Sequence, residues 1–160
     1  MDQLLKFQKA LKDAERGRVK VGVLGDKTTR EGSAGGGDTN AEIGAKMEFG
    51  FVQDKGPWKG FKIPARSFLR FPLLTFAKNV PAQFKADAVK LLLSARIDLL
   101  LKRIGVLAVK AIDYAFQTRG MGMWKANSPV TILLKGSDAP LIDTGQLRRS
   151  ISYQVTGVKK

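Results

Sequence analysis

The stretch that most limits how this chain can fold runs from Pro81 to about Gln117 and reads as its longest helical segment. Leu93, Ile97, Leu100, Ile104, Leu107 and Ala111 recur at alternating spacings of four and three, a heptad-like apolar seam. Leu92, Leu99 and Val106 form a narrower stripe on roughly the opposite face, with Lys102, Arg103 and Lys110 beside it. A helix apolar on two faces is either central to its own domain or shared with another subunit. Gly105 is where the segment is expected to bend or split into two consecutive helices. The heptad run is too short for a free-standing coiled coil. Charged residues from Arg96 to Asp113 interrupt the apolar run between Leu91 and Phe116, which argues against a membrane span.

The rest must fold around that segment, and 160 residues make one ordinary domain over positions 1–160. A chain of this size buries roughly 70% of its unfolded surface, so a real core is expected. It contains no cysteine and no histidine. That removes the thiol nucleophile, the thiolate metal site, the commonest general base and the commonest transition-metal ligand, so neither a metal nor a cofactor is expected. The net charge of +14 points to a partner that is nucleic acid, an acidic membrane surface or an acidic protein surface.

Residues 2–16 read as an amphipathic helix ending at Gly17, not as a secretory signal, so the protein is expected in the cytosol or in a particle assembled there. Val19, Val21 and Val23 then alternate as a short strand closing at Gly25-Asp26. Residues 26–39 read as a flexible loop. Its glycines match neither phosphate-binding motif, and the next helix opens with Glu42, so a nucleotide site is not expected. Thr39 or Asn40 caps a helix through Ala41, Ile43, Met47 and Phe49 that ends at Gly50. Glu48 is a carboxylate of general acid or base type without an obvious partner, and is expected to fix the helix end or pair with an arginine.

Residues 51–62 form a basic loop in which Trp58 and Phe61 are interleaved with lysines. Packing or a subunit interface is preferred there over stacking on bases. Pro64 suits the first turn of a helix, which places Arg66 and Arg70 one turn apart on one face, able to meet phosphates or carboxylates of a neighbouring chain. Further on, Ser128-Pro129 reads as a cap and first helical position, after a glycine-rich connector that contains Trp124.

The C-terminal stretch falls into three parts. Lys135 to Pro140 is a turn-forming loop, Asp143 and Gln146 stand at capping-box spacing ahead of a short helix, and Ile151, Tyr153 and Val155 alternate with Ser150, Ser152 and Gln154 as a half-buried strand. The expected fold is α+β: a small antiparallel sheet including residues 18–25 and 150–156, packed against long helices.

PLIDTGQLRRSISYQV, preceded by SPVTILLKGSD, resembles the C-terminal signature of the virion-morphogenesis proteins of tailed bacteriophages, the Mu-type minor tail or tail-completion components of the head–tail neck. The likeness covers four blocks, 19–26, 41–50, 63–73 and 128–155. It includes Glu48, Phe49 and Gly50; Pro64 and Phe68; Lys135 and Gly136; and Leu141, Asp143, Thr144, Gly145 and Leu147. Ser67 stands where the family commonly has proline, and the 51–62 loop is longer than is usual in the family. The resemblance implies a structural, non-enzymatic ring subunit, hexameric by the tail's symmetry, in a virion neck assembled in the host cytoplasm. Its partners would be adjacent neck, tail-terminator or tail-tube proteins, with packaged DNA a further possible contact and no membrane. Trp58, Phe61, Arg66, Arg70, Arg148 and Arg149 are the candidate inter-subunit or inter-ring contacts. The rival classes are a tail terminator of the adjacent ring, a basic nucleic-acid-binding protein, and a hydrolase using Glu48 and Asp143.

Overall fold

A single face of one helix, α5 (Ile97–Gln117), organises the core. Ile97, Leu101, Gly105, Ala108, Ile112, Ala115 and Phe116 are its buried positions, spaced by about one helical turn. The seam expected from the large side chains is offset by one position: Leu100, Ile104, Leu107 and Ala111 are half-buried flanks. Hydrophobic size misleads here because the buried face includes small residues, Gly105 and Ala108, and Gly105 lets the sheet approach through Tyr153.

The computed structural model describes residues 2–25, 37–54, 56 and 59–158. In chain order these form α1 (Asp2–Arg16), β1 (Arg18–Val23), α2 (Asn40–Phe49), β2 (Phe51–Val52), β3 (Lys62–Ile63), α3 (Arg70–Lys78) and α4 (Ala82–Leu93). After α5 come α6 (Pro129–Lys135), α7 (Gln146–Ser150) and β4 (Ile151–Thr156). The α+β expectation holds, as do α1 and β1. Most of the loop expected over 26–39 lies outside the described residues, and so does Trp58.

β1 and β4, the first and last strands, pair antiparallel from Arg18↔Thr156 to Val23↔Ile151. Val21, Val23 and Ile151 of this ribbon join a cluster of Phe68, Ile112, Phe116, Trp124 and Leu147. At its other end Val19 and Val155 join Ala10, Ile97 and Leu101. The ribbon thus ties both ends of the chain to α5, which at 21 residues spans roughly 30 Å. Phe116 stacks obliquely on Phe68 and edge-on to Trp124, with centroids 5.5 and 5.6 Å apart.

Four expectations are corrected. The long helical segment divides at Ser94–Arg96 and not at Gly105. The Ser94 hydroxyl donates to the Lys90 carbonyl, Ala95 turns left-handed at φ 56°, and the Arg96 N–H closes on the Leu91 carbonyl. The 51–62 segment is not all loop, since its ends pair as β2 and β3 in a second small sheet. Pro64 does not start a helix. The Arg66 N–H donates to the Met47 carbonyl, holding residues 64–67 outside α3, which begins at Arg70. Asp143 is not the N-cap of the short helix: Gly145, at φ 76°, holds that position in α7 and no side chain caps it there. A capping box exists at Thr39 and Glu42.

Gly105 carries the tightest helix–sheet contact. A Cβ there would lie 2.1 Å from the Tyr153 ring, close to the ring's root. Replacing a mid-helix glycine with alanine normally stabilises by about 1 kcal/mol. Overpacking opposes this by roughly 1–3 kcal/mol. Gly105→Ala is therefore expected to lower the urea midpoint, and the loss should reverse when Tyr153→Ala is added. A stabilised Gly105→Ala single variant would show that the ring moves freely.

Candidate functional site

Blocks 41–50 and 63–73 meet at a junction around Glu48, near the end of α2. Its buried carboxylate accepts the Phe68, Leu69 and Arg70 N–H groups at 2.8, 2.9 and 3.2 Å. It also accepts the Ser67 hydroxyl at 2.6 Å and Arg70 Nε at 3.1 Å. These N–H groups lie at the start of α3, where no intrahelical carbonyl is available, so one carboxylate from another helix completes it. Burial works against the charged form, but the bonds from Ser67, Leu69 and Arg70 outweigh it and hold the pKa below the usual glutamate value. Both oxygens are engaged and the shift is opposite to what a general acid needs.

Glu48 thus pairs with an arginine, as expected, but the helix end it fixes belongs to α3. Arg70 also lies over the Phe49 ring, 4.7 Å from its centroid. Arg66 does not share a face with it. Arg66 is buried, donating from Nε to the Lys125 carbonyl at 2.9 Å and from one terminal nitrogen to Ala126 and Asn127 at 3.1 and 3.2 Å. Burial lowers its pKa, although a guanidinium stays charged. The fork expected for a neighbouring chain is spent on the chain's own connector. Ser67 and Asn127 were not legible as site residues. The Ser67 hydroxyl accepts the Phe71 N–H, and its carbonyl accepts Trp124 Nε1.

Beside the junction lies a cleft of about 390 Å³. Ile43 and Met47 of α2, Ile63, Pro64, Leu141 and Leu147 give it an apolar lining. Phe61, Lys62, Arg66, Lys125, Lys135, Asp143, Thr144 and Gly145 also border it. Lys135 donates to the Ala139 carbonyl, which closes the loop after α6. Burial lowers the Lys135 pKa and Arg66 adds to that, while Asp143 and Asp138 oppose it. Two glycines of the resemblance have backbone reasons. Gly50 at φ 73° would put a Cβ 2.7 Å from the Ala65 nitrogen, and Gly136 at φ 66° is the left-handed cap of α6.

Arg148 and Arg149 do not border the cleft. Arg148 Nε donates to Asp113 of α5 at 2.6 Å, which pulls the Asp113 pKa down and pushes that of Arg148 up. Arg149 donates to the Thr144 carbonyl at 3.0 Å. Among the described residues no group of three or more Asp, Glu, His or Cys side chains could hold a metal ion. No described helix is long and apolar enough to cross a membrane. No family model, no curated protein and no solved structure matches the chain.

Glu48→Ala leaves the start of α3 with unmet N–H groups and should cost about 3–5 kcal/mol. Glu48→Gln, with similar shape and no charge, should lose less. Because the folded pKa is depressed, the stabilisation is present above the usual carboxylate pKa and fades as pH falls through the folded value. Denaturant unfolding from neutral to acid pH should therefore show a steeper acid loss in the native chain than in Glu48→Gln. Parallel pH profiles would exclude this role.

Proposed function

We propose that the chain is a structural subunit of a tailed-phage neck, a tail-completion or head–tail joining ring component that acts by assembly and not by catalysis. The observation that carries this reading is the convergence of blocks 41–50, 63–73 and 128–155, the segments resembling the virion-morphogenesis proteins, on the lining of one cleft. Several residues of the resemblance hold this scaffold in place: Glu48 completes the start of α3, and Gly50 and Gly136 take positive-φ turns. Exposed apolar surface agrees with an assembly part. Val130, Leu133 and Leu134 form one stripe on α6, Leu133 being 84% and Leu134 70% exposed. Homo-hexameric packing matches the tail's symmetry, and the net charge of +14 suits docking on acidic ring surfaces, where complementarity fixes register and speeds encounter.

The test is negative-stain microscopy of particles from phage lacking the gene, with a complemented control. DNA-filled heads beside unattached tails are expected. Normal tailed, infectious particles would remove the neck role and favour a nucleic-acid-binding function, whose mark is affinity falling steeply with salt. Arg149→Glu, which leaves the Arg148–Asp113 pair intact, tests the residue-level expectation. It should fold and complement poorly if Arg149 meets a neighbouring subunit, whereas full complementation would exclude that contact.

A further inference from the structure

The cleft joins an apolar floor to a cationic mouth. Ile43, Met47, Ile63 and Leu147 face a volume of about 390 Å³, room for one or two large side chains. Among the described residues, Lys62, Lys125 and Lys135 stand around it against one lining carboxylate, Asp143. β3 forms one border. The Gln53 N–H donates to the Phe61 carbonyl at 2.9 Å and Phe51 lies opposite Ile63. Alternation along an antiparallel ladder then turns the Lys62 N–H and C=O away from β2. A strand edge beside apolar pockets is what an extended peptide uses when it adds to a sheet.

We propose that this cleft docks an acidic peptide segment of a partner protein, with one large apolar side chain over Met47 and Leu147 and its carboxylates meeting Lys62, Lys125 and Lys135. Charge decides among occupants. A second copy of this chain brings +14 to a mouth that is already cationic. Duplex DNA supplies negative charge but offers no side chain for the apolar floor. The half-buried Lys135 lines the cleft, and an arriving carboxylate would favour its charged form. The inference stands on the cleft alone and goes beyond the neck reading.

The probe is a fluorescein-labelled octapeptide, Glu-Asp-Glu-Phe-Leu-Asp-Glu-Asp, followed by fluorescence polarisation and by amide shifts of the ¹⁵N-labelled protein. Two controls replace Phe-Leu with Ser-Ser, or every acidic residue with lysine. Thr144→Trp fills the cleft from an exposed lining position, and Lys125→Glu reverses one exposed mouth charge. Expected are shifts clustered at Met47, Ile63 and Leu147, and loss of about tenfold or more in affinity in each variant and each control. Three results would overturn the proposal: no binding by the acidic peptide, equal binding by the lysine peptide, or full affinity in Thr144→Trp. Self-association lost in Thr144→Trp would make a second copy the occupant, and a duplex oligonucleotide whose binding is lost in that variant would make it DNA. Either also overturns the proposal. Normal necks in the gene deletion would remove the neck reading and leave this binding result standing.

Discussion

The buried carboxylate of Glu48 is the interaction on which the arrangement of the middle of the chain depends. A helix start presents several N–H groups with no partner, and a buried one must be satisfied by side chain, water or ligand. Here the partner comes from α2, some twenty residues earlier, so Glu48 ties the start of α3 directly to α2, beside the Arg66–Met47 backbone bond. Phe68, next to the receiving turn, is thereby set against Phe116. The Ser67 carbonyl is left to accept Trp124, and the same extended segment sends Arg66 to the 125–127 connector. A single buried charge, fully hydrogen-bonded, thus orders three segments distant in sequence. Its geometry rewards that position and no neighbouring one, since a shift by one residue would strand both the carboxylate and the N–H groups.

What was legible in the sequence was local. The glycine after α1, the alternating valines of β1, the Thr39 cap and the Ser128-Pro129 start all act within a few residues, and all appear as expected. The Ser128 hydroxyl accepts the Thr131 N–H at 3.2 Å, and Gly136 closes α6 in the left-handed region. The pairing of β1 with β4 was also readable, because both strands alternate and few other segments do.

The misses share a different cause, which is long-range satisfaction. Pro64 is compatible with a helix start, but a backbone bond to Met47 and the position of Glu48 delay the helix to Arg70. Asp143 has the spacing of a cap, yet Gly145 in the left-handed region sets the start of α7. The apolar seam of α5 is offset because large side chains dominate an apolar pattern, whereas the sheet packs on Gly105. Ser67 and Asn127 carry no periodic or motif signal at all. Their roles exist only once Glu48 and Arg66 arrive from elsewhere.

The same division bears on what α6 is for. It has seven residues, none of them buried, and a helix this short has little stability of its own. It is held at its ends, by the Ser128 cap, the Gly136 turn and the bond from Lys135 to the Ala139 carbonyl, and scarcely by its sides. A segment secured at both termini while presenting Val130, Leu133 and Leu134 to solvent gains nothing in the isolated chain from those leucines. Polar residues there would leave the caps intact and reduce apolar exposure. The leucines become favourable only when another surface covers them. Because α6 also walls the cleft through Thr131 and Lys135, covering its outer stripe and filling the cleft are adjacent events, and one partner lying across both would bury the exposed stripe and the open floor together.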